Sequence, residues 1–211
     1  MTGVGILGTS GLAREIGDIA DALDLPAIFF ARDAAELDHW TGVQQCVIEN
    51  DIGKYRDLMF VVGIGESAIR RRVVEKFAAT LRFGNLIHPA ATFGRGQRAA
   101  VECGLGNVVA AGVQMSNAIA IGNFCIFNPN ATIGHDVVIE DFVTICPSAT
   151  ISGNVHVAAG AWIGAGVVIN QGNRERKLSI GADAVIGSGA VVTRDCEAGG
   201  VYAGVPARRL R

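Results

Sequence analysis

Two rhythms of apolar residues run along the chain, and the change between them falls near Ile87. Before that point, short apolar runs alternate with stretches of helical spacing. Val4–Leu7, Ala27–Phe30 and Leu58–Ile64 read as three strands. Leu12, Ile16, Ile19, Ala20 and Leu23 recur at helical intervals, and so do Ile69, Val73, Val74 and Phe77, on a helix whose basic face would be Arg70-Arg71-Arg72. Strand–helix alternation predicts a small parallel α/β sheet. After Ile87 a large apolar residue stands at every sixth position: Val109, Met115, Ile121, Phe127, Ile133, Ile139, Ile145, Ile151, Val157, Ile163 and Ile169. The phase slips once, across 170–179, and resumes at Ile180, Ile186 and Val192. Four residues after each large one stands a smaller or β-branched one, from Val113 to Val167. A period of six is neither the 3.6 of a helix nor the 2.0 of a strand. It predicts a β-solenoid of short strands and tight turns, with both positions inward and glycines such as 122, 134, 164, 181 and 187 at the bends. Each coil of a solenoid buries its face only against its neighbours, so many must stack.

Composition removes several classes of function. Aromatics make up 6% of the 211 residues while Gly reaches 28, which argues against a helical bundle and for a turn-rich β architecture. A net charge of −2 leaves no global electrostatic footprint for nucleic acid. No apolar run reaches membrane-spanning length, so no membrane partner is expected. The opening MTGVGILGTSG lacks the charged start and long apolar core of a signal peptide, which predicts a cytoplasmic protein. Five cysteines, an odd number without a CxxC pair, read as reduced and mostly buried thiols. His39, His88, His135 and His156 include no HxxxH spacing, so no metal is expected. His88 reads as structural at a domain junction, and His156 as a residue of an outer face.

One polar pair interrupts the apolar run. Residues 133–138 read IGHDVV, with His135 followed at once by Asp136. From the residues alone, a solvated corner is the better reading of His135, with a general base as the alternative. Imidazole titrates near neutrality, as a base for proton transfer requires. Cys146 follows Ile145 in the repeat and reads as a core thiol rather than a nucleophile.

The hexad pattern over about 86–206 and the ending VYAGVPARRLR (201–211) resemble the hexapeptide-repeat acyltransferases. GTSGLAREI (8–16), FVVGIGESAIRRR (60–72) and IGHDVVIEDFVTICPSATISGNVHV (133–157) make the chain similar to the sugar acetyltransferases of the PglD/NeuD/PerB group. The resemblance implies a Rossmann-like nucleotide-sugar-binding domain over 1–85. It implies a left-handed parallel β-helix with a short tail over 86–211. It also implies a homotrimer with acetyl-CoA in clefts between adjacent β-helices, and N-acetylation of a UDP- or GDP-linked 4-amino-deoxy sugar by direct attack.

Three six-residue sides per coil place residues eighteen apart in neighbouring layers, about 4.8 Å apart. His135 and Gly153 are so related. By resemblance His135 is the general base, the Gly153 amide holds the thioester carbonyl, and Asp136 orients the ring. Coenzyme A would pass Thr144, Gly153 and Ala165, then Gly187, Ser188 and Pro206. Relatives often carry His at the place of Thr144. Arg208, Arg209 and Arg211 would meet its phosphates or form a solvated end. Ser10, Gly11, Leu12 and Gly65 would hold the nucleotide. In the usual place of an acidic pair after the second strand stands Arg32-Asp33. Asn128 is either a substrate contact or an inward-turned corner residue. Two other readings stay open: O-acetylation of a sialic-acid-like sugar, and a non-catalytic nucleotide-sugar-binding trimer. A zinc hydratase would require a stoichiometric metal. The loop 170–179 would touch the cofactor, touch a neighbouring subunit, or be a tolerated insertion.

Overall fold

The computed structural model describes residues 3–211; Met1 and Thr2, the first two of the N-terminal stretch read above, lie outside the described residues. The N-terminal part alternates as β1 (Val4–Leu7), α1 (Gly11–Asp21), β2 (Ala27–Ala31), α2 (Ala34–Asp38), β3 (Cys46–Ile48), a 3-10 turn at Glu49–Tyr55, β4 (Met59–Val62) and α3 (Ser67–Phe77). The strands form one parallel sheet in the order β3-β2-β1-β4. α1 covers one side with Ala13, Ile16, Ile19 and Ala20. Gly17 permits that approach, since a Cβ there would sit 2.7 Å from the Phe29 ring. Strand β3 was not expected. It is a short edge strand whose residues are only half-buried, so its apolar signal is weak.

The helix expected over Ile69–Phe77 forms, but its buried side differs. Arg70, Val74 and Phe77 point inward while Ile69 is exposed. Arg70 therefore does not belong to a solvated basic face.

From Leu86 the chain winds into a triangular prism of parallel strands. The first face stacks Leu86–Ile87, Val108–Val109, Ile126–Phe127, Thr144–Ile145, Trp162–Ile163, Val185–Ile186 and Val201–Ala203. The second face runs from Thr92–Phe93 to Val191–Val192, and the third from Ala120–Ile121 to Leu178–Ile180. The eighteen-residue register holds: Thr132 pairs with Thr150, and Ile133 with Ile151. Across the slip the register lengthens, with Val155 opposite Leu178. Val113, Val137, Val143, Val155 and Val167 are fully buried beside the large hexad residues in one continuous core. Ile121 is the partly buried exception.

The glycines that follow the large residues are not the bends. Left-handed φ values fall three residues after the large position, at Ala118, Phe124, Asn130, Asp136, Phe142, Ser148 and Asn154, and then at Gly160 and Gly166. Gly134 serves a different need. A Cβ there would lie 2.7 Å from the Gly153 nitrogen of the next coil, so the backbones pass too close for a side chain. The tail is ordered: Arg208–Arg209 pairs antiparallel with Tyr202–Ala203, and Arg209 forms an ion pair with Glu197. It is not a frayed end.

Candidate functional site

His135 and Asp136 sit at the edge between the second and third faces, in the turn from Thr132–Ile133 to Val138–Ile139. Asp136 adopts φ +58, a left-handed value that Asp tolerates better than most residues. Its Oδ2 lies 2.7 Å from His135 Nδ1. A carboxylate only accepts, so Nδ1–H is the donor of this pair, which in a neutral ring leaves the lone pair on Nε2. The ring rests on Gly153, where a Cβ would fall 2.6 Å from Nε2. The Gly153 N–H donates to no acceptor among the described residues. One coil step therefore sets a basic nitrogen beside a free amide donor.

A cleft of about 700 Å³ opens here, lined by His135, Asp136, Gly153 and the loop residues Gln171, Gly172, Asn173 and Arg174. The slip in the repeat is thus a wall of this cleft. Lys177 Nζ donates to the Asp136 carbonyl and, at 3.1 Å, to Asn154 Oδ1. Asn154 Nδ2 donates in turn to the Asn173 and Arg176 carbonyls. Arg176 pairs with Asp195 on a later coil. The loop is strapped down along the edge that carries His135.

The residues matched to coenzyme A divide. Ala165, Gly187, Ser188 and Pro206 gather at the edge between the first and second faces, where Gly189 N bonds to Ala165 O and Ala207 N to Val191 O. Ala165, Ser188 and Pro206 are exposed, leaving a shallow line free of bulky side chains. Thr144 is not on that line. It is 1% exposed, and its hydroxyl donates to Gly65 O at 2.9 Å and accepts from Arg70 at 3.0 Å. A threonine whose hydrogen bonds are spent within the chain offers none to a cofactor.

Arg70, not foreseen as a site residue, organises this seam. Its guanidinium donates to the carbonyls of Ile64, Gly65, Phe124, Phe142 and Val143 and to the Thr144 hydroxyl. It is 1% exposed, and burial pushes its pKa down to about 10, so it stays charged at neutral pH. No acid pairs with it among the described residues; peptide carbonyls of both structural halves carry the charge. Ser67 Oγ adds a bond to Gly160 O at 2.9 Å.

The nucleotide-side residues lie over the first face. Ser10 caps α1 through its position rather than its side chain, whose Oγ donates to Gly63 O at 3.3 Å. The amides of Gly11 and Leu12 in the first turn stay free, as at any helix start. Leu12 and Asn128 line one cavity of about 230 Å³ with His88. Asn128 is buried and its Nδ2 donates to Ile145 O at 2.9 Å, which is the inward-turned corner arrangement. Arg32 and Asp33 pair with each other at 2.9 Å. Glu36, which no spacing pointed to, folds back from α2 to accept from Thr9 Oγ1 at 2.5 Å and Arg32 N at 2.8 Å. His156 pairs with Glu140 at 2.8 Å on the third face. Cys146 lies on the edge between the first and second faces, away from His135; it is buried, and desolvation pushes its thiol up to about 11, so it is not a thiolate at neutral pH.

In a triangular prism, the first face touches two edges. The nucleotide loop and the Ala165–Ser188 line border that face; His135 occupies the third edge, opposite it. One chain therefore separates its candidate base from its candidate binding surfaces.

Residues 4–77 match the family model of the PglD N-terminal domain. The chain superposes on PerB of Caulobacter crescentus, solved with CoA and GDP-perosamine, with TM-score 0.85 and 26% identity, covering 99% of this chain and 97% of that one. Residues 4–77 thus carry the PglD N-terminal domain, and the chain as a whole is similar to PerB in fold. A GDP-perosamine N-acetyltransferase of Escherichia coli O157:H7 is 35% identical over 108 residues, 51% of this chain and 49% of that protein. A galactoside O-acetyltransferase of Escherichia coli K12 is 36% identical over 113 residues, 44% of this chain and 53% of that protein. The matched stretches span about half the length of these curated relatives. No helix of the described residues is long and apolar enough to cross a membrane.

Proposed function

We propose that the chain is an acetyl-CoA-dependent N-acetyltransferase acting on the amine of a nucleotide-linked 4-amino-deoxy sugar, working as a homotrimer. The observation that carries this reading is the pairing of His135 Nε2 with the free Gly153 amide one coil away. The amine attacks the thioester carbon while Nε2 takes its proton; the Gly153 N–H donates to the carbonyl oxygen as charge develops on it. The C–S bond breaks and the thiolate of CoA leaves, taking the proton from the imidazolium. Asp136 holds the tautomer and offsets the positive charge on the ring. The line Ala165–Gly187–Ser188–Pro206 suits an extended pantetheine chain. The separation within one chain supports an oligomer in which a neighbour brings His135 to the first face, and the trimer is the form the family resemblance implies. Ser10, Gly11, Leu12 and Gly65 hold the nucleotide, with Asn128 fixing the corner beneath Leu12.

The likeness to a galactoside O-acetyltransferase favours a second reading, transfer to a sugar hydroxyl with the same base. Free-thiol release from acetyl-CoA separates the two. With GDP-perosamine and UDP-linked 4-amino sugars, the wild type releases thiol and His135→Ala is slower by ~10²–10⁴-fold. Release only with the hydroxyl analogues moves the assignment to O-acetylation. Release that survives His135→Ala overturns the base.

A further inference from the structure

The left-handed bends of the prism leave their carbonyls outside the backbone ladder. At Ala118, Phe124, Asn130, Asp136, Phe142 and Ser148 no backbone N–H among the described residues donates to the bend carbonyl. Where such a carbonyl is bonded, a side chain does it. Arg70 takes those of Phe124 and Phe142 at the seam. Lys177 takes that of Asp136, on the edge that carries His135. The first case locks two halves of the chain together. The second must serve something else, since both partners belong to the prism.

Lys177 reaches Asp136 because its coil is overlong. Val155 faces Leu178, where an eighteen-residue coil would place Asn173. The five extra residues close on themselves: Asn173 N donates to Arg176 O at 3.0 Å, and Asn173 Oδ1 accepts from Glu175 N at 2.9 Å and Arg176 N at 3.0 Å. Both ends of the loop are tied to the preceding coil, Gly172 N to Gly153 O at 3.1 Å and Leu178 N to Asn154 O at 3.2 Å. Lys177, the last of the five, is thereby turned back along the edge. It is half-buried, and its Nζ donates to Asn154 Oδ1 at 3.1 Å and to the Asp136 carbonyl one coil further on. An ammonium has three donors and no acceptor, and a charged donor makes the stronger bond. One cation thus bridges the coil of Gly153 and the coil of His135.

Those are the two coils whose spacing matters. The ladder joins them at this edge through Gly134 N to Ile151 O at 2.7 Å and Asn154 N to His135 O at 2.9 Å. Neither bond holds the carbonyl of Asp136, whose bend at φ +58 aims the carboxylate at His135 Nδ1. More than half of each side chain of the pair is open, so packing does not fix it either. We infer that Lys177 is a positioning residue for the base: it locks the Asp136 bend, and through it the ring of His135 over the Gly153 amide. It acts through Asp136 and not on the substrate. The consequence for rate rests on the acetyl-transfer reading above; the consequence for the ring does not.

Lys177→Met keeps the length of the side chain and removes its donors and its charge. Imidazole nitrogen NMR spectra of the full chain at about pH 8.5, where free histidine is neutral, report the tautomer of each ring. His135→Ala assigns the His135 signals among the four histidines. In the wild type His135 carries its proton on Nδ1. In Lys177→Met its signals move towards a mixture of tautomers, while those of His39, His88 and His156 stay in place. Unmoved His135 signals overturn the inference, and so do equal shifts at all four rings. In turnover with acetyl-CoA and GDP-perosamine or a UDP-linked 4-amino sugar, Lys177→Met lowers kcat by about ten- to a hundredfold and leaves both KM values unchanged. A raised KM for acetyl-CoA with unchanged kcat makes Lys177 a cofactor contact and contradicts the inference. If the wild type acetylates no acceptor, the reading of function fails, and the ring spectra alone decide the role of Lys177.

Discussion

The edge that carries His135 and the seam that carries Arg70 show opposite designs. His135 and Asp136 keep 63% and 57% of their side-chain surface open and touch one another and the wall of an open cleft. Arg70 is sealed, and its donors reach six acceptors drawn from both halves of the chain. The open edge presents polar groups to an open cleft; the closed seam locks two halves of the chain together. What the contrast teaches is a division of labour. The seam fixes the Gly65 loop against the first face; in the proposed function His135 is left on the far edge as the base for a neighbouring copy.

Substitutions on the two sides should fail differently. Arg70→Met orphans several buried carbonyls at once and is expected to lower stability by about 3 kcal/mol or more, read from denaturant midpoints. Thr144→Val keeps the volume and removes one hydroxyl from the same network, for about 1–2 kcal/mol. His135→Ala should leave the midpoint within about 0.5 kcal/mol, as befits an exposed side chain. Equal destabilisation by His135→Ala and Arg70→Met would erase the contrast.

Gly153→Ala sharpens it next. The added Cβ meets the imidazole at 2.6 Å, so the ring must swing away from the amide. A displacement near 1 Å in a catalytic group costs on the order of 10²-fold in rate. The expected result is slow turnover with normal folding and unchanged KM for acetyl-CoA. Wild-type turnover would show that the stacking of His135 on Gly153 is incidental.

The smallest effect separates core from surface among the thiols. Burial pushes Cys125 up to about 12 and Cys146 and Cys196 up to about 11, while Cys103 is exposed. A thiol reagent on the native protein near pH 8 should modify Cys103 first and these three only on unfolding. Fast reaction at Cys146 would contradict its burial.

Much of this is legible in the sequence because a solenoid repeats itself. Every coil faces the same steric test, so Ile133, Ile139 and Ile145 announce one period, and the same period places Gly153 beside His135. The seam has no repeat to read. Arg70 sits among three arginines with nothing local to mark it, and its acceptors are backbone carbonyls, which any sequence supplies. Thr144 carries the motif position of a cofactor contact, yet the hydroxyl is short enough to be taken up by Arg70 and Gly65. The glycines after the large residues are not the bends for a related reason: Asp136 and Asn154 tolerate the left-handed bend, so glycine is left for the tighter constraint between coils. The loop at 170–179 showed only as a break in phase; its role as a wall of the cleft depends on Lys177 reaching back to Asp136 across forty-one residues.

The central claim is that base and binding face come from different copies. Co-expressing His135→Ala with Gly65→Trp, which fills the crevice beside Trp162, tests it most directly. Each variant alone should release no thiol from acetyl-CoA above background. In mixed oligomers some interfaces join an intact His135 edge to an intact first face, so activity should return to a measurable fraction of wild type. Mixed oligomers that form, with both variants folded, and stay inactive would contradict the shared site.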